Sequence, residues 1–251
     1  GFVKVAAAIP QVKVADYKWN VSRMELLIKE AEQQGVQMIV FPELSISGYT
    51  CGDLFAQRLI TEESEMALMM LLNNTRQLDI VSIVGMPLGV NATLINAAVV
   101  IQKGKILGVV PKTYLPNYGE FYERRHFVPG PKDAFEITFA GQRTLFGTNL
   151  LFACREMPEF VLGVEICEDL WAPVPPSCSH ALAGATVVAN LSASDETVGK
   201  AAYRRELVAG QSARLLCGYV YADAGHGEST TDMTFAAHNL IAENGTLLCE
   251  A

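Results

Sequence analysis

The strongest constraint on this chain is the recurrence of short apolar runs, rich in β-branched residues, separated by stretches with helical periodicity. Val3 to Ile9, Met38 to Phe41, Ile80 to Val84, Ala97 to Ile101, Lys105 to Val110, Phe160 to Ile166, Thr186 to Ala189 and Tyr219 to Tyr221 read as strands, several of them buried on both faces. Between them, Val21, Met24, Leu27, Ile28 and Ala31 line one face of a helix that Gly35 stops, and Glu62 to Leu78 and Lys200 to Leu216 follow similarly. Strand and helix therefore interleave. Lys103-Gly104-Lys105 and Glu243-Asn244-Gly245 read as hairpin turns, so antiparallel neighbours are expected as well. No repeat, low-complexity tract or linker divides the chain, and the expectation is a single α/β domain over residues 1–251. The longest unpatterned stretch, Thr113 to Lys132, is rich in Tyr, Pro and charge and begins directly after Lys112. Loops of that length inside compact domains often carry function.

Composition removes several classes of function. Half the residues are hydrophobic, yet no apolar run reaches the ~18 residues needed to span a bilayer. Residues 1 to 9 lack a basic n-region and a cleavage site, so no export signal is expected. The net charge is −8 without a Lys/Arg-rich stretch, which leaves no electrostatic footprint for nucleic acid or an anionic membrane. The six cysteines form no C-x-x-C pair and several sit in apolar runs, which points to a reducing, cytoplasmic setting. His126, His180, His226 and His238 lack ligand spacing, so no metal and no cofactor is expected in this domain. Signatures of serine hydrolases, phosphate loops, dinucleotide folds and zinc proteases are absent from the sequence.

Three residues stand at the ends of predicted strands. Cys167 closes VLGVEIC before the polar Glu168-Asp169, where backbone N–H groups would favour a thiolate and stabilise an oxyanion. The alternative is a small core residue. Glu43 follows VQMIVFP, where partial desolvation would raise its carboxyl toward the value a general base for a thiol requires. Lys112 follows KILGVVP and offers a fixed positive charge for an oxyanion. A solvated loop glutamate and a surface lysine are the plain alternatives for these two.

Taken with their neighbours, the three residues resemble the Glu-Lys-Cys triad of the nitrilase (carbon-nitrogen hydrolase) superfamily, in the same chain order. The strings FPELSISGYTCGDLF, PKTYLPNYGEFYERRHFVPG, VEICEDLWAPVPPS, NLSASDETVGKAAYRR and GHGESTTDMTF are similar, more narrowly, to the glutaminase domain of the glutamine-dependent NAD synthetases. The resemblance implies a four-layer α-β-β-α sandwich, usually paired as a homo-oligomer across a helical face. It implies that Glu43 takes the proton of Cys167, that the thiolate attacks the side-chain amide of L-glutamine, and that ammonia leaves a glutamyl thioester which water then hydrolyses. Lys112 and the backbone N–H of Glu168 would hold the oxyanion. Glu120 matches a second glutamate placed beside the triad, and Tyr118, Ser194 and Lys200 match substrate contacts, with Ser192 a nearby rival to Ser194. In the full synthetase a second domain would use ATP and magnesium to make NAD from nicotinic acid adenine dinucleotide. That domain's S-G-G-x-D-S motif is not in these residues, so the expectation is a glutaminase module whose synthetase domain is absent from this chain. The rival readings are a free-standing amidase acting on another small amide and a catalytically silent scaffold.

Overall fold

The fold is described from a computed structural model covering residues 2–131 and 133–251; Gly1 and Lys132 lie outside the described residues. The first half runs β1 (Val5–Ala7), α1 (Tyr17–Gln33), β2 (Met38–Val40), α2 (Arg58–Asn74), β3 (Val81–Val90), β4 (Thr93–Gln102) and β5 (Lys105–Pro111). Strands β6 (Phe135–Phe139), β7 (Gln142–Phe146) and β8 (Leu151–Ala153) follow. The second half runs β9 (Val161–Ile166), α3 (Glu168–Trp171), α4 (Pro176–Leu182), β10 (Val187–Ser192), α5 (Lys200–Leu215), β11 (Gly218–Asp223), β12 (Leu240–Glu243) and β13 (Thr246–Glu250). One sheet has the order β1-β2-β3-β4-β5-β7-β6, the other β13-β12-β11-β10-β9-β8. Both halves thus follow one plan, two parallel crossovers feeding an antiparallel meander, although no sequence repeat announces it.

Period-two alternation decides which side chains face which layer. In β4, Ala98 and Val100 point into the core between the sheets, where they meet Val164, Ile166, Leu191 and Val220. Ala97, Val99 and Ile101 point the other way, onto the apolar stripe Val21, Met24 and Ile28 of α1 and onto Leu68 and Leu71 of α2. The second sheet repeats the device: Val220 and Ala222 face inward, Tyr219 and Tyr221 outward beside Val208 of α5. The result is the α-β-β-α sandwich, in which each fully buried aliphatic side chain contributes about 1.5–3 kcal/mol.

The strands read from sequence are present, with β3 longer than its apolar core because Gly85, Pro87 and Gly89 interrupt the pattern, and β4 longer because Asn96 does. The edge strand β6 and its neighbour β7 carry exposed polar residues and lie outside the runs read from sequence. Both expected hairpins form, with Lys103-Gly104 and Asn244-Gly245 at positive φ. Helix α1 is capped by Asp16, which accepts from the Trp19 N–H at 3.1 Å. Helix α2 lies one turn earlier than its expected span, since Thr75 closes it by bonding the Leu71 carbonyl.

Candidate active site

The parallel strands of both sheets end on one side of the sandwich, where open α/β architectures place their ligands. Glu43 leaves β2 there, and its N–H donates to the Ser192 carbonyl at the end of β10, 3.3 Å away, tying the two sheets together. The turn is tight: Leu44 has φ 51, and a Cβ on Gly85 of β3 would lie 2.4 Å from the Leu44 nitrogen. Only glycine lets β3 pass so close. Lys112 follows β5 and is fixed by its N–H to the Asn96 carbonyl at 2.8 Å.

The side chains meet in a fully buried cluster. Lys112 Nζ donates to Glu43 Oε1 at 2.6 Å and to Glu123 Oε1 at 2.7 Å. Asn96 Nδ2 donates to the same Glu43 oxygen at 2.5 Å, and Tyr49 donates its hydroxyl to Glu123 at 2.9 Å. Glu43 Oε2 has no hydrogen-bond partner among the described residues. Burial pushes the Glu43 carboxyl up to about 7; Lys112 pulls it down, and the nearby Glu123 charge adds to the rise. Lys112 stays protonated because two carboxylates outweigh the burial that opposes its charge.

Cys167 sits between β9 and α3 with φ 45 and ψ −100, a conformation non-glycine residues rarely adopt. Asp169 holds the turn: its Oδ2 accepts the Ile166 N–H at 2.9 Å, and its Oδ1 accepts the N–H groups of Thr113 at 3.1 Å and Tyr114 at 2.7 Å. One buried carboxylate therefore joins the Cys167 turn to the loop that follows Lys112. Burial raises the Cys167 thiol well above its usual value, and the Glu43 charge adds to this. Lys112 and hydrogen bonds from Ser192 and Ala193 oppose the shift. Burial and the Glu43 charge thus oppose the thiolate that the exposed N–H groups were expected to favour.

The remaining expected residues are placed unevenly. Tyr118 is exposed and donates its hydroxyl to the Glu168 carboxylate at 2.9 Å. Lys200, the first residue of α5, is ion-paired with Asp195 and stands 5.6 Å from the Phe121 ring and 5.4 Å from the Trp171 ring. Ser194 is buried, its hydroxyl accepting from Arg204 at 3.2 Å, whereas Ser192 is the serine that bonds the thiol. Glu120 is exposed at the rim of a cavity whose wall includes Tyr49, Phe121 and Glu123. The glutamate that holds the lysine is Glu123, three residues on, which corrects the expectation for Glu120. Glu123 is carried inward by a one-turn 3-10 helix whose N–H groups bond back to Pro116 and Tyr122.

Sequence reasoning missed Asn96, Glu123, Asp169 and Arg204. Asn96 was detectable as an amide inside the apolar run LINAAVVI, since a polar side chain in a strand buried on both faces must find a partner. Arg204 is fully buried and donates to Ser194 Oγ, the Asp195 carbonyl and His238 Nδ1, so it braces the loop after β10.

Fold and site together define a protein of the α-β-β-α sandwich class, with a carboxyl, an ammonium and a thiol gathered at three strand ends. The sequence pattern of the family described as Carbon-nitrogen hydrolase matches residues 4–231, and the chain belongs to that family. Among curated proteins it is 47% identical over 251 residues to the glutamine-dependent NAD(+) synthetase of Mycobacterium bovis. It is 34% identical over 205 residues to the Thermotoga maritima protein of the same name, which covers 81% of this chain. The chain spans 37% of the length of the first and 32% of the second. Among solved structures, a glutamine-dependent NAD(+) synthetase from Cytophaga hutchinsonii superposes with a TM-score of 0.88 at 30% identity, covering 100% of this chain and 40% of that one. An amidase of the nitrilase superfamily from Nesterenkonia shares the fold, with a TM-score of 0.78 at 19% identity over 99% of this chain and 86% of its own.

Proposed function

We propose that the chain is a glutaminase module that releases ammonia from L-glutamine through a thioester on Cys167. The observation that carries this reading is the buried Glu43–Lys112–Glu123 cluster beside the thiol, with Glu43 near pKa 7 and Oε2 open to a proton. Glu43 takes the thiol proton as Cys167 Sγ attacks the side-chain amide carbon, and the electron pair moves to the carbonyl oxygen. The Lys112 ammonium and the Glu168 N–H, the first amide of α3 and without an intrahelical acceptor, stabilise that oxyanion. Glu43 returns the proton to the departing nitrogen, ammonia leaves, and water activated by Glu43 hydrolyses the thioester to glutamate.

The mouth suits an amino acid better than a simple amide. The Lys200 ammonium, partly countered by Asp195, faces the α-carboxylate, and the Glu168 carboxylate, held by Tyr118, complements the α-ammonium. Ser194 and its Arg204 brace complete the wall. The identities to synthetases support a partner domain that consumes the ammonia to make NAD, and the ATP and magnesium of that step belong to the partner, not to this site. A cytoplasmic setting fits a mechanism that needs Cys167 reduced. A homo-oligomer is part of the proposal, with Leu59, Met66, Met69 and Met70 exposed on α2.

The test is intact mass after exposure to a glutamine-like diazoketone, with Cys167→Ala and acetamide as comparisons. A single adduct on the wild type, blocked by glutamine and not by acetamide, is expected. An adduct that acetamide blocks equally would replace glutamine by a simple amide, and an equal adduct on Cys167→Ala would remove Cys167 as nucleophile.

A further inference from the structure

The Cys167 amide is committed twice, to the Leu191 carbonyl at 2.9 Å and to Asn190 Oδ1 at 3.2 Å. The Asn190 bond is the near end of a buried chain. Asn190 Nδ2 donates to the Tyr219 hydroxyl at 3.1 Å, and that hydroxyl donates to Glu165. Glu165 also accepts the Ser177 N–H at 2.8 Å and the Ser177 hydroxyl, which in turn accepts from Gln211 Nε2 of α5 at 2.9 Å. All five residues are buried.

Every donor in this chain points toward Glu165, which fixes the sense of each link. Glu165 accepts from both Ser177 and Tyr219, so the Tyr219 oxygen is left for the Asn190 amine. Asn190 must then present its carbonyl, and only the carbonyl, to the Cys167 N–H. Cys167 needs such a hold, because a strained φ persists only where its surroundings over-determine it, at a cost of about 1–3 kcal/mol. We propose that Glu165, acting through Tyr219 and Asn190, is a positioning residue that holds the nucleophile's backbone in its left-handed turn and turns its N–H away from substrate. The oxyanion is thereby left to Lys112 and the Glu168 amide, and the outer helices α4 and α5 are tied to the alignment of the thiol. This deepens the glutaminase reading and rests on it for the kinetic part of its test.

Tyr219→Phe deletes one hydroxyl and keeps the ring, and Glu165→Gln is isosteric but supplies an amine that reverses the link to Tyr219. Each should lower kcat by about 10- to 100-fold while the KM for glutamine stays within about 2-fold, since the substrate contacts are untouched. The rate of Cys167 alkylation by iodoacetamide, read on the Cys167 peptide by mass spectrometry, should fall in parallel. Val188→Ala removes packing beside Tyr219 but leaves every hydrogen bond of the network in place, and should retain both rates. Wild-type rates in both network variants, or an equal loss in Val188→Ala at matched melting temperature, would overturn the proposal. The alkylation rates decide it even if the wild type releases no ammonia from glutamine, a result that would refute the glutaminase reading alone.

Discussion

Glu43 carries a conflict between folding and chemistry. As a carboxylate it can take the Cys167 proton, yet burial favours the neutral acid. Its pKa rises from 4.5 to about 7 on folding, so its stabilising contribution is complete below about pH 4.5 and is lost as pH rises through 7. Glu43→Gln should therefore be inactive, with kcat down about 10²- to 10⁴-fold, but more stable at pH 8 by on the order of 3 kcal/mol. The usual penalty for removing one member of a buried ion pair does not apply, because Glu123 still neutralises Lys112. Urea unfolding at pH 8 and pH 4 checks this; the gain should vanish at the lower pH. The same carboxyl should set the acid limb of kcat/KM near pH 7. Glu123→Gln removes a charge that raises Glu43, so the limb should move to lower pH while kcat at pH 8 falls by no more than roughly tenfold. A limb that stays in place would assign the titration to another group.

At the scale of elements, the site depends on strand ends being brought closer than side chains normally permit. Gly85→Ala would drive a methyl into the Glu43 turn, with the Leu44 nitrogen 2.4 Å away and the Pro42 carbonyl oxygen 2.6 Å away. We expect a loss of about 1–3 kcal/mol and at least a ~100-fold fall in kcat, measured by thermal unfolding and ammonia release. Positions of this kind explain what was legible in the sequence. Glu43, Lys112 and Cys167 could be read because each follows an apolar run whose end is visible. The layers could be read because Ala97, Val99 and Ile101 alternate with Ala98 and Val100. Glu123 could not be told from Glu120, because both lie in a loop without period and only the 3-10 turn decides which points inward. Asp169 was hidden because its three partners come from two segments more than fifty residues apart, a relation with no local trace.

On the scale of the whole molecule, several buried acids are made weaker by folding. Asp223, fully buried beneath the loop after β10, is pushed up to about 7 by its burial, and Glu165, Asp169 and Glu228 are raised for the same reason. The folded chain therefore binds more protons than the unfolded chain between about pH 4.5 and 7, and stability should decline as pH rises across that window. The urea midpoint should be higher at pH 5 than at pH 8, and Glu43→Gln should flatten the difference. A midpoint that rises with pH would mean that the exposed ion pairs, such as Arg205 with Glu250, outweigh the buried acids.

The two halves of the sandwich share one plan but divide the chemistry: Glu43 and Lys112 come from the first sheet, Cys167 and its serine from the second. Neither half holds the carboxyl and the thiol together. A nascent or partly unfolded chain for that reason lacks the pairing of carboxyl and thiol, which meet only when the interface between the sheets closes. Damage that loosens the sheets parts the two groups and at the same time relieves the burial that holds the thiol protonated, exchanging a positioned sulfur for an exposed one.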